Sequence, residues 1–347
     1  MSDNGATQAA VEAGLTERRE YVNEAISEEL PIIRPERLYE ASRYLLDAGG
    51  KRLRPTVLLL AAEAIADVDP ADADYRAFPS PAGPVDVMSA AVSIEIIQSF
   101  TLIHDDIMDD DDMRRGVPAV HEEYDLETAI LAGDTLYSKA FESMLETGAP
   151  ADRSVRALSE LATTCTKICE GQAIDIDFES RDAVDPDEYL DMVELKTAVL
   201  YAAAAAVPAM LLGADDAVDA LYGYGLDVGR AFQIQDDLLD LTTPSETLGK
   251  QRGSDLVEGK KTLVTLHARE NGVDVDNLVT ADSVGVVEEG EIEAAVDRLR
   301  EAGSIEYARE TAHDLIRNGK RNLDVLPDNE SRDLLRGIAD YLVEREY

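Results

Sequence analysis

The chain has 347 residues, 45% of them hydrophobic, and carries 72 acidic against 32 basic side chains for a net charge of −40. That length can bury a substantial core, and a field of that sign repels nucleic-acid backbones and anionic membrane surfaces. The carboxylates are spread over the whole length beside a normal apolar fraction. The acidity therefore reads as solvation in concentrated salt, where screening shortens repulsion to a few ångströms, and not as disorder.

Tryptophan is absent, aromatic residues make up 5%, and alanine and leucine abound, which favours helices over sheets. Residues 1–12 are small, polar and acidic and are predicted to be a disordered N-terminal segment. Helical periodicity then predicts helices over 15–29, 36–46, 55–66, 85–109, 126–146, 151–175, 187–207, 215–239, 261–270, 289–301, 305–318 and 331–343. Pro, Gly and Asp mark loops at 67–84, 242–259 and 271–283. No stretch has the composition of an interdomain linker, so residues 13–347 read as one all-α domain. Cys165 and Cys169 stand one helical turn apart with few histidines in the chain, which suits small thiols in a reducing cytosol better than zinc ligands. No basic, apolar and small-residue signal opens the chain, so the expected location is cytoplasmic. Thr197 to Gly213, largely alanine and containing Pro208, is predicted to be a buried helix and not a transmembrane segment.

Two aspartate clusters end long apolar runs. SAAVSIEIIQSFTLIH leads into Asp105-Asp106-Ile107-Met108-Asp109, with Asp110 to Asp112 following, and YGYGLDVGRAFQIQ leads into Asp236-Asp237-Leu238-Leu239-Asp240. Residues four apart share a helix face, so Asp105 and Asp109 pair, as do Asp236 and Asp240. Stacked carboxylates repel unless a cation lies between them, and Mg²⁺ suits oxygen ligands that it shares with water and phosphate. A solvated acidic helix end explains one such cluster; two DDxxD repeats in the same setting point to metal.

The basic residues point the same way. Only eight lysines remain: Lys51, Lys139, Lys167, Lys196, Lys250, Lys260, Lys261 and Lys320. Three fall in GKQRGSDLVEGKK just after the second cluster, and Lys51 joins Arg52 and Arg54 in GGKRLRP. Arg114 and Arg115 flank the first cluster. A compact ammonium or a forked guanidinium placed beside metal-binding carboxylates suggests two anion sites, one reached through metal and one held directly.

Taken in order, GGKRLRP (49–55), LIHDDIMDDDDMRRG (102–116), GD (133–134), GQAID (171–175), KT (196–197), FQIQDDLLD (232–240) and GKQRGSDLVEGKKT (249–262) resemble the trans-isoprenyl diphosphate synthases. The resemblance is to the archaeal geranylgeranyl type, and it spans most of the chain. It implies a single-domain isoprenoid-synthase helical bundle around a deep central cavity, usually a homodimer. It implies condensation of isopentenyl diphosphate with dimethylallyl, geranyl or farnesyl diphosphate. By position, Asp105, Asp109, Asp236 and Asp240 match the ligands of about three Mg²⁺ ions. Arg114, Lys196, Thr197, Gln233, Lys250 and Lys260 match the allylic diphosphate site, with Lys196, Thr197 and Gln233 also at the reacting centre. Lys51, Arg54, Gln98 and Arg115 match the isopentenyl diphosphate pocket.

Product length is expected to be set by Ile97, Phe100 and Thr101 on the run before Asp105. A bulky aromatic five residues before the first aspartate fits a C20 product, with C15 and C25 as alternatives. On an ideal wheel Thr101 lies more directly below Asp105 than Phe100 does. A terpene cyclase, sharing the implied fold, needs no GGKRLRP and seldom repeats DDxxD.

Overall fold

The computed structural model describes residues 7–181, 183–244, 252–279 and 287–344. The described chain is almost entirely helical: α1 (Gln8–Glu29), α2 (Glu36–Asp47), α3 (Leu53–Ala66), α4 (Val87–Met108), the short α5 (Val120–Glu123), α6 (Leu126–Leu145), α7 (Ala151–Ser180) and α8 (Pro186–Val193). A π-helical segment, Glu194–Ala198, leads into α9 (Val199–Leu212) and α10 (Val218–Thr242). The short α11 (Ser254–Val257), α12 (Leu263–Glu270), α13 (Glu289–Glu301), α14 (Ser304–Asn322) and α15 (Glu330–Glu344) complete the order. Two-residue strands β1 (Met113–Arg114) and β2 (Val117–Pro118) form an antiparallel hairpin.

The chain divides into two compact units of discontinuous segments. One holds residues 1–165, 200–222 and 323–337; the other holds 166–199, 223–322 and 338–347. Within the expected disordered segment 1–12, residues 8–12 are helical. α1 begins at Gln8 because the Thr7 side chain accepts from the backbone N–H of Ala10, closing an orphan donor of the first turn.

In the first unit α4 packs most extensively on α6 and α3. Asp86 caps α4 through the Ser89 N–H, and Asp125 caps α6 through the Thr128 N–H. Gly133 of α6 lets the two helices close: a Cβ there would lie 2.3 Å from Nε2 of His104 on α4. Beneath them Glu63 of α3 is fully buried and fully bonded. It accepts from Arg18 Nε and Nη2 at 2.8 and 2.6 Å, from the Tyr75 hydroxyl at 2.7 Å and from Ser331 Oγ at 2.7 Å.

In the second unit α8 starts at a capping box, with Asp185 accepting from the Glu188 N–H and the Glu188 side chain accepting from the Asp185 N–H. The single helix expected over 187–207 is instead broken in register by the π-helical segment. It then runs past Pro208 to Leu212, since the apolar burial of α9 outweighs the one lost backbone bond. The run from Ala198 to Leu212 is buried throughout, as its composition suggests.

Candidate active site

In the first unit α4 delivers the first aspartate cluster. The Asp109 N–H closes the last turn on the Asp105 carbonyl at 2.8 Å, and Asp110, at φ 56°, turns the chain out of the helix. Asp105 is half-buried and Asp109 exposed. Asp106, 100° round the helix, points inward and is fully buried. Its Oδ1 accepts from Arg114 Nε at 2.5 Å, while Oδ2 accepts no hydrogen bond among the described residues. Burial pushes its carboxyl up, against the pull of Arg114.

Arg114 also donates to Asp111 at 2.8 Å, so its guanidinium is held from two sides. Between β1 and β2, Arg115 and Gly116 take φ of 55° and 78°, both central residues left-handed as a primed hairpin turn requires. The turn sends the Arg115 guanidinium to the carbonyls of Leu45, at 2.9 Å, and Gly49. A Cβ on Gly50 would meet that guanidinium at 3.1 Å, so the paired glycines of GGKRLRP leave room for Arg115.

The basic island of that motif is split. Lys51 is exposed, and Arg54 lies half-buried with its guanidinium 4.3 Å from the centre of the Tyr201 ring. Arg52 turns inside at φ 50° and is buried, donating to Glu95 at 2.5 Å, Asn23 at 2.9 Å and the Leu46 carbonyl at 2.5 Å. It holds the loop that presents its neighbours. Gln98 is half-buried on α4. Ile97 is fully buried, and Thr101 donates to the Gln98 carbonyl at 2.9 Å. Phe100 packs its ring edge-on against His104, at 4.9 Å, and Tyr137 of α6, at 5.3 Å.

In the second unit the π-helical segment carries Lys196 and Thr197. π-Bulges recur at functional sites because one inserted residue redirects the side chains around it. Two glycines clamp this one: a Cβ on Gly171 would lie 2.3 Å from the Lys196 backbone nitrogen, and one on Gly229 would lie 2.5 Å from the Ala198 Cα. Lys196 Nζ donates to Asp175 at 2.6 Å, so the GQAID motif supplies both the gap and the counter-ion. The Gln172 amide, 7% exposed, makes no hydrogen bond with either of its atoms among the described residues.

Thr197 Oγ1 donates to Gln233 Oε1 at 3.1 Å, Gln233 Nε2 donates to Asp237 Oδ1 at 2.9 Å, and the Tyr189 hydroxyl donates to Asp237 Oδ2 at 2.5 Å. Burial, with Asp255 nearby, pushes the Asp237 carboxyl up to about 8. Asp236 is half-buried. Asp240, expected to share a metal-facing side with Asp236, is tied to the chain that follows. It is buried, and its oxygens accept from Ser254 Oγ at 2.7 Å and the Asp255 N–H at 3.1 Å, fixing the start of α11. Lys260 pairs with Glu258 at 2.9 Å and Asp255 at 3.5 Å. Lys250 lies outside the described residues.

Sequence reasoning missed Asp106, Asp237, Tyr189, Gly171 and Gly229 as working parts. The doubled aspartates and the glycine of GQAID were visible signals for three of them.

Asp105 and Asp109 in the first unit, and Asp236 in the second, each present hard carboxylate oxygens, the donor type that Mg²⁺ prefers. Among the described residues no three acidic, histidine or cysteine ligands converge.

The polyprenyl synthetase family pattern matches residues 35–299. The chain is 73% identical to the geranylfarnesyl diphosphate synthase of Natronomonas pharaonis, over 97% of this chain and 98% of that one. It is 51% identical to the geranylgeranyl diphosphate synthase of Methanosarcina mazei, over 95% and 96%. Among solved structures, the geranylgeranyl pyrophosphate synthetase of Geoglobus acetivorans superposes with a TM-score of 0.84 at 45% identity, covering 95% of this chain and 99% of that one. With motif order, helical fold and family pattern in agreement, the chain belongs to the polyprenyl synthetases, the trans-isoprenyl diphosphate synthases.

Proposed function

We propose that this prenyltransferase extends allylic primers with isopentenyl diphosphate as far as the C25 product, geranylfarnesyl diphosphate. The direction of Phe100 carries this reading. Its ring leans on His104 and on Tyr137 of α6, so Thr101 and Ile97 occupy the strip of α4 one and two turns below Asp105. From Asp105 to Ile97 the helix runs about 12 Å along its axis, a descent with only a threonine hydroxyl in the first turn. The product name of the 73% identical relative supports the same length. A C20 product is the second reading, favoured by an aromatic residue five before the first aspartate and by the name of the Methanosarcina relative.

In this reading Asp105, Asp109 and Asp236 hold about three Mg²⁺ ions on the allylic diphosphate. Bound there, the metal supplies Lewis-acid neutralisation of the leaving group. Arg114, Lys196, Lys250 and Lys260 add charge-assisted hydrogen bonds to the same oxygens. Asp106 and Asp111 keep the Arg114 fork oriented, and Asp175 does the same for Lys196. Lys51, Arg54, Gln98 and Arg115 hold isopentenyl diphosphate. As the C–O bond to diphosphate breaks, the Thr197 and Gln233 dipoles stabilise the allylic cation without trapping it. The isopentenyl double bond attacks, a C–C bond forms, and the released diphosphate takes the proton. The apolar side chains that α6 exposes, Ile130, Leu131, Tyr137 and Leu145, support a homodimer. The net charge of −40 supports a salt-rich cytoplasm as the setting.

The test is incubation with Mg²⁺, excess isopentenyl diphosphate and each allylic primer, followed by chromatographic sizing. C25 should accumulate, and Thr101→Phe should shorten it to C20. A wild-type reaction that stops at C20 would refute the length while leaving the family activity intact.

A further inference from the structure

We infer that Tyr201 is a positioning residue for isopentenyl diphosphate: the face of its ring holds the Arg54 guanidinium in place and leaves the fork of N–H donors to the substrate. The inference rests on the reading above that Arg54 binds that diphosphate.

The argument turns on how three neighbouring arginines use their donors. Arg52 gives its N–H groups to Glu95, Asn23 and the Leu46 carbonyl, and Arg115 donates to the carbonyls of Leu45 and Gly49. Arg54 donates to no oxygen among the described residues, and its Nε is enclosed without a hydrogen bond. Its contact is instead the Tyr201 ring, whose centre lies 4.3 Å from the guanidinium carbon. A carboxylate in that place would support the charge by taking N–H donors that a diphosphate needs. A π face supports it through the ring quadrupole and leaves the fork open.

The ring also answers a repulsion. Burial, together with the nearby guanidiniums of Arg52, Arg114 and Arg54, lowers the Arg115 pKa against the pull of Glu95. Like charges this close swing apart when no anion lies between them, and in a chain with 72 acidic side chains a loose arginine soon finds a carboxylate. Held on the ring, Arg54 does neither, so less side-chain freedom is lost when the anion arrives. Tyr201 suits the task by its setting. It is fully buried near the start of α9 and is followed by five alanines, Ala202 to Ala206, which leave it the one large side chain of that stretch. Close packing on every side keeps the ring from turning away. Tyr201 lies in the first unit with Lys51, Arg54, Gln98 and Arg115. A ring placed only to fill space could be matched by another apolar side chain of similar size; a ring that acts on Arg54 could not.

The test is steady-state kinetics of the full-length chain with Mg²⁺ and a saturating allylic primer, on variants shown to be folded by thermal melting. Tyr201→Phe keeps the ring and should leave KM for isopentenyl diphosphate within about 2-fold of wild type. Tyr201→Leu should raise it by about 5- to 30-fold, with kcat and the KM of the allylic primer little changed, as expected when binding is lost equally from ground and transition states. In an Arg54→Ala background the Leu change should add nothing further, since the ring then has no cation to hold. Should Tyr201→Leu fail to fold, phenylalanines carrying one, two and three ring fluorines, installed at 201, nearly keep the shape while draining the negative face, and KM should climb with each fluorine. A flat fluorine series, beside an Arg54→Ala enzyme of raised KM, would overturn the inference alone. An Arg54→Ala enzyme of wild-type KM would overturn the reading of the pocket and this inference with it.

Discussion

Gly171→Ala isolates the π-helical segment with one methyl group. The added Cβ would stand 2.3 Å from the Lys196 nitrogen and 2.7 Å from both the Leu195 carbonyl carbon and the Lys196 Cα. Ordinary contact begins at 3.4 Å, so one backbone must yield by about 1.1 Å. Backbone atoms cannot rotate aside as a side chain would, and Gly229 closes the other side against Ala198. Overpacking of this kind costs about 1–3 kcal/mol. The larger effect should be on turnover, because a shift of about 1 Å in Lys196 and Thr197 can cost about 100-fold. The assay is steady-state turnover with Mg²⁺, an allylic primer and isopentenyl diphosphate, on protein shown to be folded by thermal melting in molar KCl. Gly290→Ala, where an added Cβ meets nothing within 4 Å, is the control and should leave turnover unchanged. A folded Gly171→Ala enzyme with wild-type turnover would refute the idea that this close approach positions the site.

Glu63→Ala should cost about 3–5 kcal/mol, read from the denaturant midpoint, because it leaves the Arg18 guanidinium, 1% exposed, without its carboxylate. Burial raises the Asp227 carboxyl from 3.8 to about 6, so the folded state holds the proton longer than the unfolded chain does. Stability tied to that proton is present below pH 4 and lost as pH rises through 6. Asp227→Asn should therefore raise the melting temperature at pH 7, with the gain shrinking as pH falls from 6 toward 4; a pH-independent gain would contradict this. The melting temperature of the wild type should climb from dilute buffer to molar KCl as the self-repulsion of −40 charges is screened, and a flat response would sever acidity from salt adaptation.

Helix positions were legible because apolar periodicity is a local signal. The predicted 289–301 coincides with α13, and 126–146 overruns α6 by one residue. The start of α1 escaped because residues 8–12 lack an apolar stripe, while the Thr7 cap that begins the helix is a single hydroxyl. The π-helical segment escaped for a different reason. Nothing in ELKTA separates it from α-helix, and its cause is non-local: α7 and α10 present Gly171 and Gly229 at its flanks. In the site, residue types and spacing exposed the aspartates and the cations. They did not show which members of a basic or acidic run face outward. Arg52 looked equivalent to Lys51 and Arg54 until its left-handed backbone turned it onto Glu95. Nor did residue types and spacing show that Asp240 is buried and accepts from Ser254 and the Asp255 N–H, whereas Asp236 is half-buried.

The two DDxxD motifs share an internal division of labour that explains why their aspartates come doubled. In each, the second aspartate lies 100° round the helix from the first, which turns it from the ligand face toward the core. Asp106 and Asp237 are both buried, and burial raises both carboxyls. A buried carboxyl is expensive unless it is satisfied, so each is kept for what it holds. Asp106 accepts from Arg114, the cation proposed for the diphosphate; Asp237 accepts from Tyr189 and from Gln233, proposed to face the developing cation. On the proposed reading the first aspartate of each motif would supply an oxygen ligand, while the second holds a neighbouring side chain in place. Replacing a second aspartate should therefore disturb catalysis by loosening a neighbour, with the carboxylate ligands left in place.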